Sequence, residues 1–275
     1  MAERTGRTRA ALVTGASRGI GKAIAIALAG AGFDVAITAR TVHEGDGRDA
    51  GSDRVLPGSL DTTQAAIEAT GHRCLPIPMD LLDDASIDAA LARLLEQWGA
   101  PDVLVNNAIY QGAGRHARFL ESTQDELHNL LLGNVLAQWR IIRALLPAFV
   151  ERGDGTILDI TSAAGMIDPP KPVGAGGWSL GYGASKGGFH RTCGVLHAEH
   201  AADGLRIFNL EPGLVHTERM QSTHGGEFDE VAGAGTTPDV IARVAVWLVT
   251  SADAEKWRGR TLHAQPFAAK QGWMG

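Results

Sequence analysis

The chain has 275 residues, 44% hydrophobic and 20% charged, with a formal net charge of −6 and a pI near 5.9. Such a length holds one large α/β domain or two ordinary ones, and the acidic balance argues against a nucleic-acid surface while leaving room for a local basic patch. Cys74 and Cys193 are too few and too far apart for a disulfide framework or a zinc site and read as reduced, buried thiols; the ten histidines show no metal-ligand spacing. No apolar stretch approaches the ~20 residues of a membrane span, and residues 1–9 lack the apolar core of a signal peptide, so a cytoplasmic protein is expected.

Short apolar runs at 10–14, 34–39, 73–76, 103–106, 156–160, 205–210 and 260–263 read as strands. Amphipathic patterns at 19–31, 60–70, 84–97, 123–150, 183–202 and 238–251 read as the helices between them. This alternation predicts a doubly wound parallel sheet of about seven strands, flanked by helices on both faces and joined by right-handed crossovers. The strands are near-continuously apolar, as burial on both faces requires. Asp83 or Asp84 can cap the third helix, and Gly99 ends it. No linker or repeat divides the chain, so a single domain over 1–275 is expected. Three segments interrupt the pattern: 41–59, 163–181 and 218–237. The last two follow the fifth and sixth strands, at the carboxyl edge where such sheets bind ligands, and read as substrate loops. The first reads as a surface insertion, or as a border to the adenosine end of a cofactor.

Between the first strand and first helix runs Thr14-Gly15-Ala16-Ser17-Arg18-Gly19-Ile20-Gly21. A glycine loop at that point presents backbone N–H groups and the positive end of a helix dipole to a pyrophosphate. The second strand ends in Ala39-Arg40, where NAD sites usually carry an acidic residue for the ribose hydroxyls. With Arg18 inside the glycine loop, two guanidinium groups stand ready for a 2′-phosphate, which favours NADP(H) over NAD(H). Further on, Tyr182 and Lys186 are four apart in a helical stretch and share one face. A lysine ammonium held there favours the phenolate and brings a tyrosine into working range for proton transfer. Asn134 lies in an apolar run where an amide needs partners, and Ser162 follows the fifth strand.

Taken in order, these motifs resemble the short-chain dehydrogenase/reductase family over nearly the whole length, 10–263. They are the glycine loop, Asp80 after the third strand, Asn106-Asn107-Ala108 after the fourth, Asn134, Ser162, Tyr182-x-x-x-Lys186, and Pro212-Gly213 with Thr217 after the sixth. The resemblance implies a Rossmann-type fold and an oxidoreductase interconverting a carbonyl and an alcohol. It implies Tyr182 as general acid in reduction and general base in oxidation. Ser162 would polarise the substrate oxygen, and Lys186 would lower the tyrosine pKa and bond the nicotinamide ribose. Asn134 would hold a water that links Lys186 to solvent. Asp80 would meet the adenine, Asn107 and Ala108 the adenosine side, and Thr217 the carboxamide end. Gly15, Ser17, Arg18, Gly19, Ile20, Gly21, Arg40, Leu81, Pro212, Gly213 and Val215 complete the implied cofactor contacts. The family also implies a homotetramer or dimer with helices 123–150 and 183–202 at the interface.

The chain departs from the family pattern at Ile109, where glycine is usual, and in the long interval from Ser162 to Tyr182, whose Pro/Gly-rich insert is expected to wall the pocket. Trp178, His216, Arg219 and Phe228 are candidate substrate contacts. Arg115-His116-Ala117-Arg118 reads as a solvated loop, with attraction of an anionic substrate or a carrier protein as the alternative. The tail 265–275, with Phe267 and Trp273, is expected to cover a neighbouring subunit or to fray. A small carbonyl or alcohol is the expected partner, without nucleic acid, membrane or metal. Reduction of carrier-bound 3-oxoacyl groups and a hydroxysteroid-type dehydrogenase remain open, as does a regulator that senses NADP(H) without turnover.

Overall fold

In the computed structural model, residues 8–49, 54–220 and 235–274 are described. Phe228 and most of the 218–237 loop lie outside them. The first half of the chain runs β1 (Arg9–Thr14), α1 (Gly19–Gly30), β2 (Phe33–Ala39), α2 (Leu60–Glu68), β3 (Cys74–Pro78), α3 (Asp84–Trp98) and β4 (Val103–Asn106). The second runs α4 (Gln124–Leu131), α5 (Ala137–Arg152), β5 (Gly155–Ile160), α6 (Leu180–His200), β6 (Leu205–Glu211), α7 (Pro238–Thr250), β7 (Thr261–His263) and α8 (Ala264–Lys270).

The seven strands form one sheet in the order β3-β2-β1-β4-β5-β6-β7, and every neighbouring pair is parallel. Strand order reverses between β1 and β4, which opens a crevice at their carboxyl ends. Alternate residues feed two apolar layers. Val13, Val105 and Leu158 pack with Ile24 and Leu28 of α1 and Ile241, Val244 and Leu248 of α7. Leu12, Leu104 and Ile157 pack on the other face with Ile87 and Leu91 of α3 and Ile141, Leu145 and Phe149 of α5. Both faces are covered, and the strands are apolar throughout for that reason.

Helix starts follow side-chain chemistry. Ser59 and Thr123 form reciprocal capping boxes with Thr62 and Glu126, and Asp83 accepts from Ala85 N. At the amino end of the sheet, buried Asp102 accepts from Ala10 N at 2.8 Å and so pins β1 beside β4.

Three elements differ from the sequence-based expectation. The long helix 123–150 is broken by a π-helical turn, Leu132–Leu136, into α4 and α5. The extra residue turns Asn134 inward, where Oδ1 accepts from Tyr110 N at 2.6 Å and Nδ2 donates to Ser185 Oγ at 3.2 Å. Helix α6 begins at Leu180 rather than 183, because the Ser179 hydroxyl caps it by accepting from Tyr182 N. The tail forms a helix, α8, packed on its own chain: the Phe267 ring lies 4.6 Å from that of Trp247 and 5.8 Å from that of Trp273. Phe267→Ala is expected to cost about 2 kcal/mol, since the ring is partly buried. Urea unfolding at equilibrium measures it, and a loss below about 0.5 kcal/mol would mean the tail adds little.

Candidate active site

A cleft of about 770 Å³ opens at the carboxyl edge of the sheet, lined by the glycine loop, the ends of β2 to β6 and the start of α6. Gly15 has φ +67°, and a Cβ there would stand 2.7 Å from Ala108 Cα. At Gly21 a Cβ would stand 2.3 Å from Asn107 Nδ2, so α1 seats against the sheet only without one. Asn107 holds this loop, donating from Nδ2 to Thr14 O at 2.9 Å and to Gly15 O at 3.1 Å. Thr14 Oγ1 accepts from the N–H groups of Asn107 and Ala108, both at 3.0 Å. The result is a backbone cradle at a helix N-terminus, and its shape and donors fit the pyrophosphate of a dinucleotide.

Gly15, Ser17, Arg18, Gly19, Ile20, Arg40, Asp80, Leu81, Asn107, Ala108, Pro212, Gly213, Val215 and Thr217 all line the cleft together with Ser162, Tyr182 and Lys186. Gly21 stands behind the loop. Asn134 stands behind the wall, with both ends of its amide bonded to Tyr110 N and Ser185 Oγ, so the water-holding place implied for it is not at the cleft surface.

The electrostatics centre on Tyr182. Burial pushes its phenol up, but the Lys186 ammonium, the Arg115 guanidinium and a hydrogen bond from Ser162 outweigh that and hold it below the usual tyrosine value. Lys186 is itself buried, and burial lowers its ammonium; nearby Tyr182 and Asp159 favour the charge, while Arg115 opposes it. Lys186 Nζ also donates to Ile160 O at 3.1 Å.

Beneath the lysine lies a polar row across three strands. Asn106, Asp159 and Asn209 are register partners on β4, β5 and β6, and all three are buried. Asn106 Nδ2 donates to Asp159 Oδ1 at 2.8 Å, and Asn209 Nδ2 donates to His190 O at 2.9 Å. The His190 ring turns toward the sheet, its Nδ1 3.2 Å from both Thr161 Oγ1 and Asn209 Nδ2, and burial lowers its pKa. Both cysteines are free, and burial pushes the Cys74 thiol up to about 12.

The flanking segments behave differently from expectation. The 163–181 insert contributes no lining residue; Trp178 packs against Gly183 instead. Val173 bridges Gly177, so the insert folds on itself. The wall comes from 109–117, with Arg219 and Met220 from the later loop, whereas His216 is not at the surface of the cleft. The 41–59 connection is more than a surface loop: Thr41 and Asp49 line the cleft. Arg18 fastens it, donating from Nε to Pro57 O at 2.8 Å and from Nη2 to Gly58 O at 2.7 Å. Asp49 pairs with Arg219 at 2.6 Å, which joins this connection to the loop after β6. Sequence reading also missed Gln265, which donates from Nε2 to Pro212 O and Leu214 O at 2.9 and 2.7 Å and so shapes the turn carrying Gly213.

These features agree with the comparisons. The model of the short chain dehydrogenase family matches residues 9–227. Oxidoreductase UcpA of Salmonella typhimurium is 30% identical over 224 residues, 81% of this chain and 74% of its own. An NAD-dependent oxidoreductase of Mycobacterium tuberculosis is 30% identical over 258 residues, 87% of this chain and 88% of its own. A solved structure assigned as a short-chain alcohol dehydrogenase from Sinorhizobium meliloti matches with TM-score 0.75 at 28% identity, over 93% of this chain and 94% of that one. The chain belongs to the short-chain dehydrogenase/reductase family, and is an oxidoreductase acting on CH–OH groups with NAD(P). Among the described residues no helix is long and apolar enough to cross a membrane.

The polar row gives a pH signature. Burial, the largest cause, lifts the Asp159 carboxyl from 3.8 to about 7 against the pull of Asn106 and Lys186. The folded state then keeps a proton that the unfolded state releases, so this group withdraws stability as pH rises from about 4 to 7. Asp159→Asn is expected to be the more stable protein at about pH 8 and to lose that advantage near pH 4. Urea midpoints at the two pH values decide; an advantage that grew toward acid would reverse the assignment.

Proposed function

We propose that this enzyme interconverts a ketone or aldehyde with its alcohol using NADP(H), with Tyr182 as the acid/base. The observation that carries this reading is a half-buried tyrosine held below its usual pKa by flanking cations, beside Ser162 in a cleft whose far end is a glycine-loop cradle. The cofactor, when bound, supplies or takes the hydride. The protein's own residues do the rest. Ser162 donates to the substrate oxygen and steadies the charge that develops there. Tyr182 gives that oxygen its proton in reduction and removes it in oxidation. Lys186 favours the phenolate and would bond the nicotinamide ribose. Asn134 works from behind, fixing the 110 loop against α6 through Tyr110 N and Ser185 Oγ.

Gly15, Ser17, Gly19 and Ile20 would surround the pyrophosphate of a bound cofactor, with Gly21 seating α1 behind them; Asp80 and Leu81 would meet the adenine, and Asn107 and Ala108 the adenosine side. Pro212, Gly213, Val215 and Thr217 face the carboxamide end. The preference for NADP(H) rests on exposed Arg40 at the cleft rim, with Arg18 beside it tied to the carbonyls of Pro57 and Gly58. Reduction is then the physiological direction. The relative in Mycobacterium tuberculosis is named as NAD-dependent, which makes a direct comparison of the two cofactors the first control. Exposed Leu131, Leu136, Trp139, Leu180 and Val195 on α4 to α6 fit pairing with a second copy of the chain.

Titration with NADPH and NADH, followed by cofactor oxidation against ketones, aldehydes and acyl thioesters, tests the reading. Tight NADPH binding with turnover of a carbonyl class is the expected result, and Tyr182→Phe is expected to remove at least about 100-fold of that turnover while sparing cofactor binding. Full activity in the Phe variant would end the assignment of Tyr182.

A second expectation concerns Glu218, whose Oε2 accepts from Gly19 N at 2.9 Å, within the cradle. A carboxylate there competes with and repels a pyrophosphate. Glu218→Gln is expected to tighten NADPH binding about threefold or more, the scale of one like charge removed from a solvated cleft. Fluorescence titration reads this directly; weaker binding would show that Glu218 supports the cofactor.

A further inference from the structure

The loop after β4 brings a second cation to the reacting centre. The Arg115 guanidinium carbon lies 5.1 Å from the centroid of the Tyr182 ring, and its charge helps to hold the tyrosine below its usual value. Its position is built. Arg115 Nη1 donates to Gln111 Oε1, Arg115 N to Gly112 O at 3.4 Å, and Gly114 packs on the Glu126 side chain of α4.

Every carboxylate lining the cleft is engaged elsewhere. Asp49 pairs with Arg219, Glu126 Oε2 accepts from Thr123 N at 2.9 Å, and Asp80 Oδ1 accepts from Leu82 N at 3.0 Å. Among the described residues no carboxylate stands at ion-pairing distance from Arg115. Lys186, which feels the Arg115 charge unfavourably, is the other cation at the reacting centre, and Arg219 stands near by. The reacting end of the cleft therefore carries surplus positive charge in a partly desolvated place, and a bound anion relieves it.

A substrate oxygen that bonds Ser162 and Tyr182 comes to lie beside the Arg115 guanidinium over the tyrosine ring. The guanidinium then faces the part of the substrate next to the reacting carbon, and its fork matches a carboxylate there. We propose that Arg115 makes this site selective for oxo acids and their hydroxy acids, with the carboxylate on or next to the carbon bearing the reacting oxygen. The inference rests on the reading of Tyr182 and Ser162 as the groups that hold that oxygen. It also gives a purpose to Arg115 that a solvated loop residue lacks.

The test uses matched pairs: phenylglyoxylate and acetoacetate, each against its methyl ester. Binding is measured by calorimetry to the enzyme saturated with the oxidised form of whichever nicotinamide cofactor it prefers, since that complex has no hydride to give. The acids are expected to bind at least about tenfold tighter than the esters, Arg115→Gln to erase the difference, and Arg115→Lys to restore part of it. Esters binding as tightly as acids, or Arg115→Gln weakening both members of each pair equally, would overturn the proposal. Turnover by Tyr182→Phe separates the two readings. An inactive Phe variant with no acid preference in the parent protein fails Arg115 alone. An active Phe variant with the acid preference intact fails Tyr182 alone.

Discussion

A buried ammonium that must stay near a half-buried phenol is the constraint around which the site is arranged. Removing Lys186 from water disfavours its charge, and only neighbours fixed in place offset that cost: Ile160 O at 3.1 Å, the Asp159 carboxyl below and the Tyr182 hydroxyl one helical turn away. The partners come from two parts of the fold. Ile160 and Asp159 are delivered by β5, Tyr182 by α6, and the start of α6 is set by the Ser179 cap. A shift of α6 along the sheet would carry Lys186 away from both Ile160 and Asp159. The buried Asn106–Asp159–Asn209 row and the Asn134–Ser185 bond resist that shift from below and from the side.

The cleft is closed by charges from segments far apart in the chain. Arg18 of the glycine loop grips the carbonyls at 57 and 58, Asp49 of the same connection pairs with Arg219, and neighbouring Glu218 reaches Gly19 N. Cofactor entry must therefore rearrange a network that joins the loop after β2 to the loop after β6. Movement of these straps, rather than of the sheet, is where binding energy would couple to closure.

The sheet was legible because burial on both faces writes an uninterrupted apolar run, as in residues 103–105, and the glycine loop because its position between strand and helix has few other uses. The π turn at Asn134 was not legible. The apolar period continues through it, and what breaks the helix is a pair of distant partners, Tyr110 N and Ser185 Oγ. Proline and glycine marked 163–181 as irregular but carry no information on which side of the cleft it folds. Arg115 sits among glycines and a histidine and so reads as solvated; only the turn that carries it over Tyr182 reveals its place. Tyr182 and Lys186 were the opposite case, since helical spacing alone puts them on one face.

The chain contains two tyrosines, Tyr110 and Tyr182. In a Tyr110→Phe background, the rise of phenolate absorbance with pH therefore reports Tyr182 alone. The account predicts a midpoint clearly below ~10, moving upward when Lys186 is replaced by methionine. A midpoint at or above ~10 in the parent protein would mean that burial outweighs the cations, and would contradict the central claim.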